Sequence, residues 1–368
     1  MKLIYTLITI LLLSINSGEL FAQSDTVWNQ KPIFTVTCFT DVYYVYDFNQ
    51  PKTNIRQKFL FNHNRHNEFN INLGLIKFQI EHDKYRANFG LQAGTYVSDN
   101  YAVEPIALRN ISEANIGISL GGRNRLWLDA GILNSHIGFE SAVSIENPTL
   151  TRSLSAENSP YYLAGIKLSF KPIKKLELAA FALNGWQRIQ RLPGNSLLSF
   201  GTQVKYTANK KLKLNWSTFI GTNDPDNIRR MRFFSNLYGI ISPSKDLKII
   251  AGIDFGIQQR SKYSKNYNTW LTPVLIAQIK LTPHLNTAFR IEYFQDETGI
   301  IIPTTTPNGF QTAGASINFD YNPISNLSCR IEGRWLASRN LIFQKNGLSS
   351  SDNFILAFSI AYKFSKQF

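Results

Sequence analysis

The sequence predicts an all-β protein, a transmembrane antiparallel up-and-down β-barrel of about sixteen strands with short turns at one end and long loops at the other. Three observations carry that expectation. The chain opens like an exported protein, closes on a strand of regular apolar and polar alternation, and joins the segments between them by short and long connections in turn.

At the N-terminus Lys2 supplies a positive start, Leu3 to Ile15 is an almost unbroken apolar run, and Leu20-Phe21-Ala22 ends on a small residue. This is the anatomy of a cleavable secretory signal over residues 1–22, leaving 23–368 as one barrel domain. A membrane anchor is the competing reading, but it needs about 20 apolar residues, and Asn16 and Glu19 interrupt this run first. No cysteine follows the cleavage region, so nothing marks the mature N-terminus for lipid.

No later stretch reaches the roughly 18 uninterrupted apolar residues of a spanning helix, and the mean hydropathy is −0.16. Aromatic residues nevertheless make up 13% of the chain, with 26 Phe and 16 Tyr against 2 Met, a balance that favours strands. A barrel reconciles the two, because each lipid-facing residue alternates with a polar lumen residue. Cys38 and Cys329 are too few for a disulfide framework and are read as unpaired thiols. In an exported chain the net charge of +14 points to a basic pore or to anionic headgroups of outer-membrane lipid, and not to nucleic acid.

The last segment is the clearest. Phe354, Leu356, Phe358, Ile360, Tyr362, Phe364 and Phe368 share one parity, broken by Lys366, and Ala357, Ser359, Ala361, Lys363, Ser365 and Gln367 hold the other. Period two over this length is a strand with one greasy face. The terminal Phe368 resembles the C-terminal aromatic signature by which the barrel assembly machinery recognises outer-membrane proteins.

Similar segments lie near 33–47, 68–82, 84–97, 113–121, 124–134, 160–171, 175–187, 196–207, 211–221, 228–241, 246–258, 267–281, 285–296, 309–322, 326–338 and 353–368. Connections such as His82-Asp83-Lys84, Gly121-Gly122-Arg123-Asn124 and Asn322-Pro323-Ile324-Ser325 are turns; those near 48–67, 98–112, 135–159, 187–195, 222–227, 259–266, 297–308 and 339–352 are longer. Sorting of this kind, with an even strand number, suits a barrel with turns in the periplasm and loops outside.

Parity assigns the faces. Arg330, Glu332 and Arg334 oppose Leu327, Cys329, Ile331 and Trp335, and Arg290 and Glu292 oppose Phe289, Ile291 and Tyr293. An Arg or Lys at the bilayer midplane costs about 2–4 kcal/mol, so the charged parity is the lumen. That places Arg86, Arg125, Asp129, Lys167, Arg230, Arg232, Arg290, Glu292, Arg330, Glu332 and Arg334 on the pore wall, with basic charge in excess. Two readings follow: a weak anion preference, or charges that pair across strands and stiffen the wall. Segment 68–82 changes parity between Leu75 and Ile76, which predicts a bulge there. Cys38 and Cys329 fall on the lipid face with strand 16 between them, beyond disulfide reach. Tyr43, Tyr44, Tyr46 and Trp186 at one rim and Phe170, Tyr206, Tyr321 and Phe368 at the other read as aromatic girdles.

The longest connection, 135–159, is too long for a simple loop. Folded inward, its Glu140, Glu146, Arg152 and Glu157 would face wall residues such as Arg86 and Arg125 and narrow a pore that sixteen strands otherwise leave open. The alternative is a loop packed over the rim. Around it the chain resembles the β-barrel porin-2, or OmpL-like, outer-membrane family of Bacteroidetes-type bacteria. The resemblance rests on Gly131-Ile132 through Gly138-Phe139-Glu140, Asn147 with Thr151-Arg152-Ser153, and Pro160-Tyr161-Tyr162 with Gly165, and extends loosely to Ala361-Tyr362-Lys363-Phe364. It implies a porin-like barrel.

Enzyme chemistry has little support. His136, beside Ser135 and near Asp129 and Glu140, is the one cluster to weigh for a rim hydrolase, and chance loop composition explains it as well. His63 and His66 lack a third metal ligand, no phosphate-binding glycine motif occurs, no cofactor is expected, and a plug domain has no room before residue 33. The expectation is a non-enzymatic porin-like channel for small hydrophilic solutes. A structural or adhesive barrel with a plugged lumen is the alternative. A homotrimer is the common assembly of such barrels.

Overall fold

The structure is a computed structural model and describes residues 31–121 and 123–368; the expected signal over 1–22 lies outside the described residues. Sixteen antiparallel strands close into one barrel: β1 (Ile33–Asp47), β2 (Phe69–Glu81), β3 (Tyr85–Ala93), β4 (Ile111–Ser119), β5 (Leu126–Asn134), β6 (Tyr162–Ile173), β7 (Leu176–Leu183), β8 (Ser199–Asn209), β9 (Leu212–Gly221), β10 (Arg232–Ile241), β11 (Leu247–Gln259), β12 (Tyr267–Lys280), β13 (Leu285–Asp296), β14 (Phe310–Ile324), β15 (Leu327–Ser338) and β16 (Asp352–Gln367). Each pairs with its sequence neighbours, and β16 closes the ring on β1 with Thr35 opposite Gln367 and Asp47 opposite Ile355. The strands form where alternation was clean, because every second residue meets lipid and every other one the lumen.

The faces separate as parity requires. Ile291, Phe358, Ile360 and Trp216 are exposed on the outside, and Arg290, Glu292, Glu332 and Ser359 are buried inside. Cys38 pairs in register with Phe364 and Cys329 with Ile360, on opposite sides of β16, and both are free thiols.

Several expected details differ. The register shift in β2 falls between Asp41 and Val42 of its partner and leaves Asn72 as the extra residue, so the bulge is at Asn72 and not at Leu75/Ile76. Leu73 and Leu75 therefore point inward, where they cover tyrosines of the second loop. Tyr43, expected in a girdle, also points inward and is 1% exposed; its hydroxyl meets Thr95 Oγ1 at 3.1 Å. Trp186 packs on Phe219, Phe234 and Trp270 inside the barrel mouth and is not a lipid-facing anchor either. Segment 84–97 stops at Ala93, because Gly94 at φ 131° turns the chain into a short helix, Thr95–Asn100. Arg230 lies before β10, not on the wall, and its Nε donates to Asp224 at 2.8 Å.

The hydrophobic core is in the lumen. Leu60 of the first loop and Ile137 and Leu154 of the third pack against inward Phe181, Phe219, Phe294 and Leu336. Burying Leu154 completely is worth about 2 kcal/mol. Apolar residues on the lumen face thus meet folded loops and not water.

Candidate functional site

The third loop, residues 135–161, enters the lumen and crosses it along the wall. Ser217 Oγ of β9 and Gln203 Nε2 of β8 donate to the His136 carbonyl at 2.6 and 2.9 Å, and Gly138 N donates to Asn236 of β10 at 3.1 Å. Ser155 Oγ then meets Asp254 of β11 at 2.6 Å, Leu154 N donates to Glu292 of β13 at 2.6 Å, and Leu150 N to Asn318 of β14 at 3.0 Å. Thr151 N donates to Glu332 at 2.5 Å, and Arg330, held by Asp320, donates to the carbonyls of Ser144 and Asn147 at 2.6 and 2.9 Å. The loop closes its span where Lys363 of β16 meets Glu146 at 2.6 Å.

Loop carbonyls and amides that enter a low-dielectric lumen need partners, and charged wall residues supply the strongest ones. Arg290 is the densest case. It donates to Thr149 Oγ1, Thr151 O and Thr151 Oγ1 at 3.0, 2.6 and 3.0 Å, and to Glu332 at 2.9 Å. Arg334 donates to Glu292 at 2.7 Å. Arg290, Glu292, Arg330, Glu332 and Arg334 are thus brought together beneath the loop, each at most 6% exposed.

Two further loops fold inward. His63 reaches Asp41 of β1 at 2.9 Å, and Asp41 also accepts from Ser359. Phe61 N donates to Glu157 of the third loop at 2.8 Å. Burial pushes the Glu157 carboxyl above its usual range, opposed by the positive charge of Arg152 and the Phe61 amide. In the second loop Glu104 accepts from the Tyr162 hydroxyl at 3.1 Å and from Ile189 N at 3.0 Å.

Space remains beside β1, β2 and β4. A cavity of about 480 Å³ lies between that wall and the third loop, and Glu140, Glu146 and Arg152 line it. They do not face Arg86 and Arg125 as expected; the cations lining this cavity are Lys77, Arg152 and Lys363. Glu140 caps Ser153 within its own loop, and the Arg152 guanidinium lies over the Tyr161 ring at 3.2 Å. Arg86 instead pairs with Asp129 at 2.5 Å and, with Arg125 and Lys167, lines a separate recess toward the turn end. Arg232 sits at the loop end over Trp186, donating to Gln258 at 2.7 Å.

The turn end is strongly basic. Lys210, Lys211, Lys245, Lys248 and Lys280 surround a recess of about 510 Å³ with Asp246 the one carboxylate among its lining residues. Among the described residues none of these lysines forms an ion pair, whereas most lumen arginines do.

His136 is 5% exposed, stacks on Phe181 and donates from Nε2 to Thr218 O at 2.9 Å, which makes it an anchor of the loop. Sequence reasoning missed the inward course of the first two loops. For the first loop the signal was the density of polar residues in Asn62-His63-Asn64-Arg65-His66, a run whose members are buried or half-buried.

Comparison with known proteins places this barrel. The fold is similar to an anion-selective porin from Comamonas acidovorans, at 9% identity, 91% of this chain, 99% of that one and a TM-score of 0.58. It is also similar to the outer-membrane channel DcaP of Acinetobacter baumannii, at 11% identity, 93% of this chain, 99% of that one and a TM-score of 0.55. OmpT of Vibrio cholerae in its trimer form matches at 7% identity over 91% of this chain and 99% of that one, with a TM-score of 0.55. At such identities the likeness is one of fold. No curated protein matches the chain. The family model described as "Putative beta-barrel porin-2, OmpL-like" matches residues 33–364, and the chain therefore belongs to this family of non-enzymatic outer-membrane porins.

Proposed function

We propose that the protein is a passive channel for small hydrophilic solutes with a weak preference for anions, set mainly at its periplasmic mouth. The observation that carries the preference is the recess of lysines that form no ion pair among the described residues, at the turn end, the periplasmic side of an outer-membrane barrel. Charges facing one aqueous mouth raise the local concentration of counter-ions within a Debye length of about 8 Å at physiological salt. The inward Arg and Glu residues contribute little to that field, because they neutralise one another beneath the third loop. The Comamonas porin of similar fold is anion-selective by description, in line with this reading.

Reversal potentials across a salt gradient test it. The wild type is expected to favour chloride over potassium, and Lys210→Gln with Lys245→Gln and Lys280→Gln to lower that ratio. Cation selectivity in the wild type refutes the preference. A second reading, a structural or adhesive barrel with a plugged lumen, is favoured by the inward packing of all three first loops; zero single-channel conductance decides for it. The proposal includes recognition of the last strand by the assembly machinery, supported by Phe368, whose ring lies 6.0 Å from that of Phe34 at the barrel seam. Deletion of Phe368 is expected to lower membrane insertion. It also includes a homotrimer in the outer-membrane lipid, supported by the trimer form of a similar fold, with the detergent-corrected mass in solution as its test.

A further inference from the structure

The cavity beside the third loop differs in chemistry from the mouth below it. Its ionisable lining is balanced: Lys77, Arg152 and Lys363 against Glu113, Glu140 and Glu146. Lys77 meets Glu113 at 2.6 Å along the wall and Lys363 meets Glu146 of the loop at 2.6 Å, so two of the three cations are paired. A site of this kind offers no net field to hold an ion, yet it presents donors and acceptors at fixed positions.

Between the pairs the lining is aromatic. Phe139 and Tyr161, the latter covered on one face by the Arg152 guanidinium, come from the loop, and Tyr238 stands on β10 with its ring 5.4 Å from that of Phe139. The Tyr238 ring is half-buried on the cavity lining, and among the described residues no hydrogen bond engages its hydroxyl, which leaves it free for a solute. Flat apolar faces, neutral summed charge, fixed hydrogen-bonding groups and about 480 Å³ fit a small ring-shaped polyol. Such a solute lays C–H faces on aromatic rings and spends its hydroxyls on the edges.

We infer that this cavity is a binding subsite for neutral saccharides of one or two rings, with Tyr238 donating to or accepting from a sugar hydroxyl. The inference rests on the channel reading above and names a solute class for it. The basic mouth then biases small ions, and the cavity selects among neutral solutes.

The test uses the purified full chain in planar bilayers with maltose as probe. Maltose is expected to lower the open-channel current in a saturable manner. Tyr238→Phe removes one hydroxyl and should raise the half-blocking concentration about three- to tenfold, the range for one hydrogen bond. Tyr321→Phe, on the lipid face, should leave that concentration where it is. Open channels that ignore maltose, an unchanged half-blocking concentration in Tyr238→Phe, or stronger block by phosphate than by maltose each overturn the inference and leave the channel reading standing. A chain that does not conduct overturns the channel reading instead. Calorimetry of maltose with the detergent-folded protein then decides the subsite, weaker binding by Tyr238→Phe supporting it and no binding overturning it.

Discussion

Replacing Arg290 by Met should free the middle of the third loop without opening the barrel. Arg290 is 1% exposed and makes three hydrogen bonds to Thr149 and Thr151 in addition to its pair with Glu332. The substitution deletes the three loop bonds and leaves the Glu332 carboxylate, 0% exposed, with the Thr151 amide as its remaining partner. Removing one member of a buried pair costs about 3–5 kcal/mol. At roughly 1.4 kcal/mol per factor of ten, the docked position of residues 148–152 loses a hundredfold or more relative to undocked ones. The other anchors, Leu154 to Glu292 and Arg330 to Ser144, keep the rest of the loop in place. Arg152 is a trypsin site that is 4% exposed in the docked loop, so its cleavage rate reports lifting. Arg290→Met is expected to be cut there faster than the wild type and to show noisier single-channel current. Adding Glu332→Leu removes the stranded charge and should recover barrel stability but not protease resistance, which separates loop docking from global unfolding. Equal trypsin resistance and equally quiet current in Arg290→Met and wild type refute the clamp.

Three other outcomes follow from the same geometry. Burial lowers the His136 pKa to about 4, helped by Lys167 and Lys205 and opposed by the bond to Thr218; the group is neutral when docked, so its contribution is complete above pH 6.5 and is lost as pH falls toward 4. That contribution is at most about 3 kcal/mol, and amide exchange near residues 135–140 should accelerate over this window in the wild type more than in His136→Gln; identical profiles refute it. Gly131, at φ 132°, faces Gly165 in register, and a Cβ there would strike the Ala114 carbonyl, so Gly131→Ala should cost about 1–3 kcal/mol and lower the urea midpoint; an unchanged midpoint counts against the kink. Alkylation without reductant followed by mass measurement should find Cys38 and Cys329 both modified, and a recovered disulfide contradicts the register of β1, β16 and β15.

The barrel was legible because lipid on one side and a polar interior on the other impose period two, and runs such as Phe354 to Phe364 carry it without interruption. Most of the differences share one cause. Leu73, Leu75, Tyr43 and Trp186 are apolar residues on the lumen side, and a reading that treats the lumen as water sends them to lipid. In a barrel filled by its own loops, inward positions are core positions. Arg230 was misplaced for another reason: alternation continues into the loop before β10, where Asp224 holds it. The charged wall residues were visible one at a time, but which carboxylate each arginine meets, and that Glu146 would meet Lys363 rather than Arg86, depends on contacts 217 residues apart in sequence. Periodicity carries no information over that distance.

Single-channel conductance of the detergent-folded protein in planar bilayers tests whether the third loop narrows the sixteen-stranded barrel without closing it. A small, ohmic, nonzero conductance is expected, rising when the anchor at Arg290 is removed. Zero conductance in the wild type and in Arg290→Met alike would contradict it.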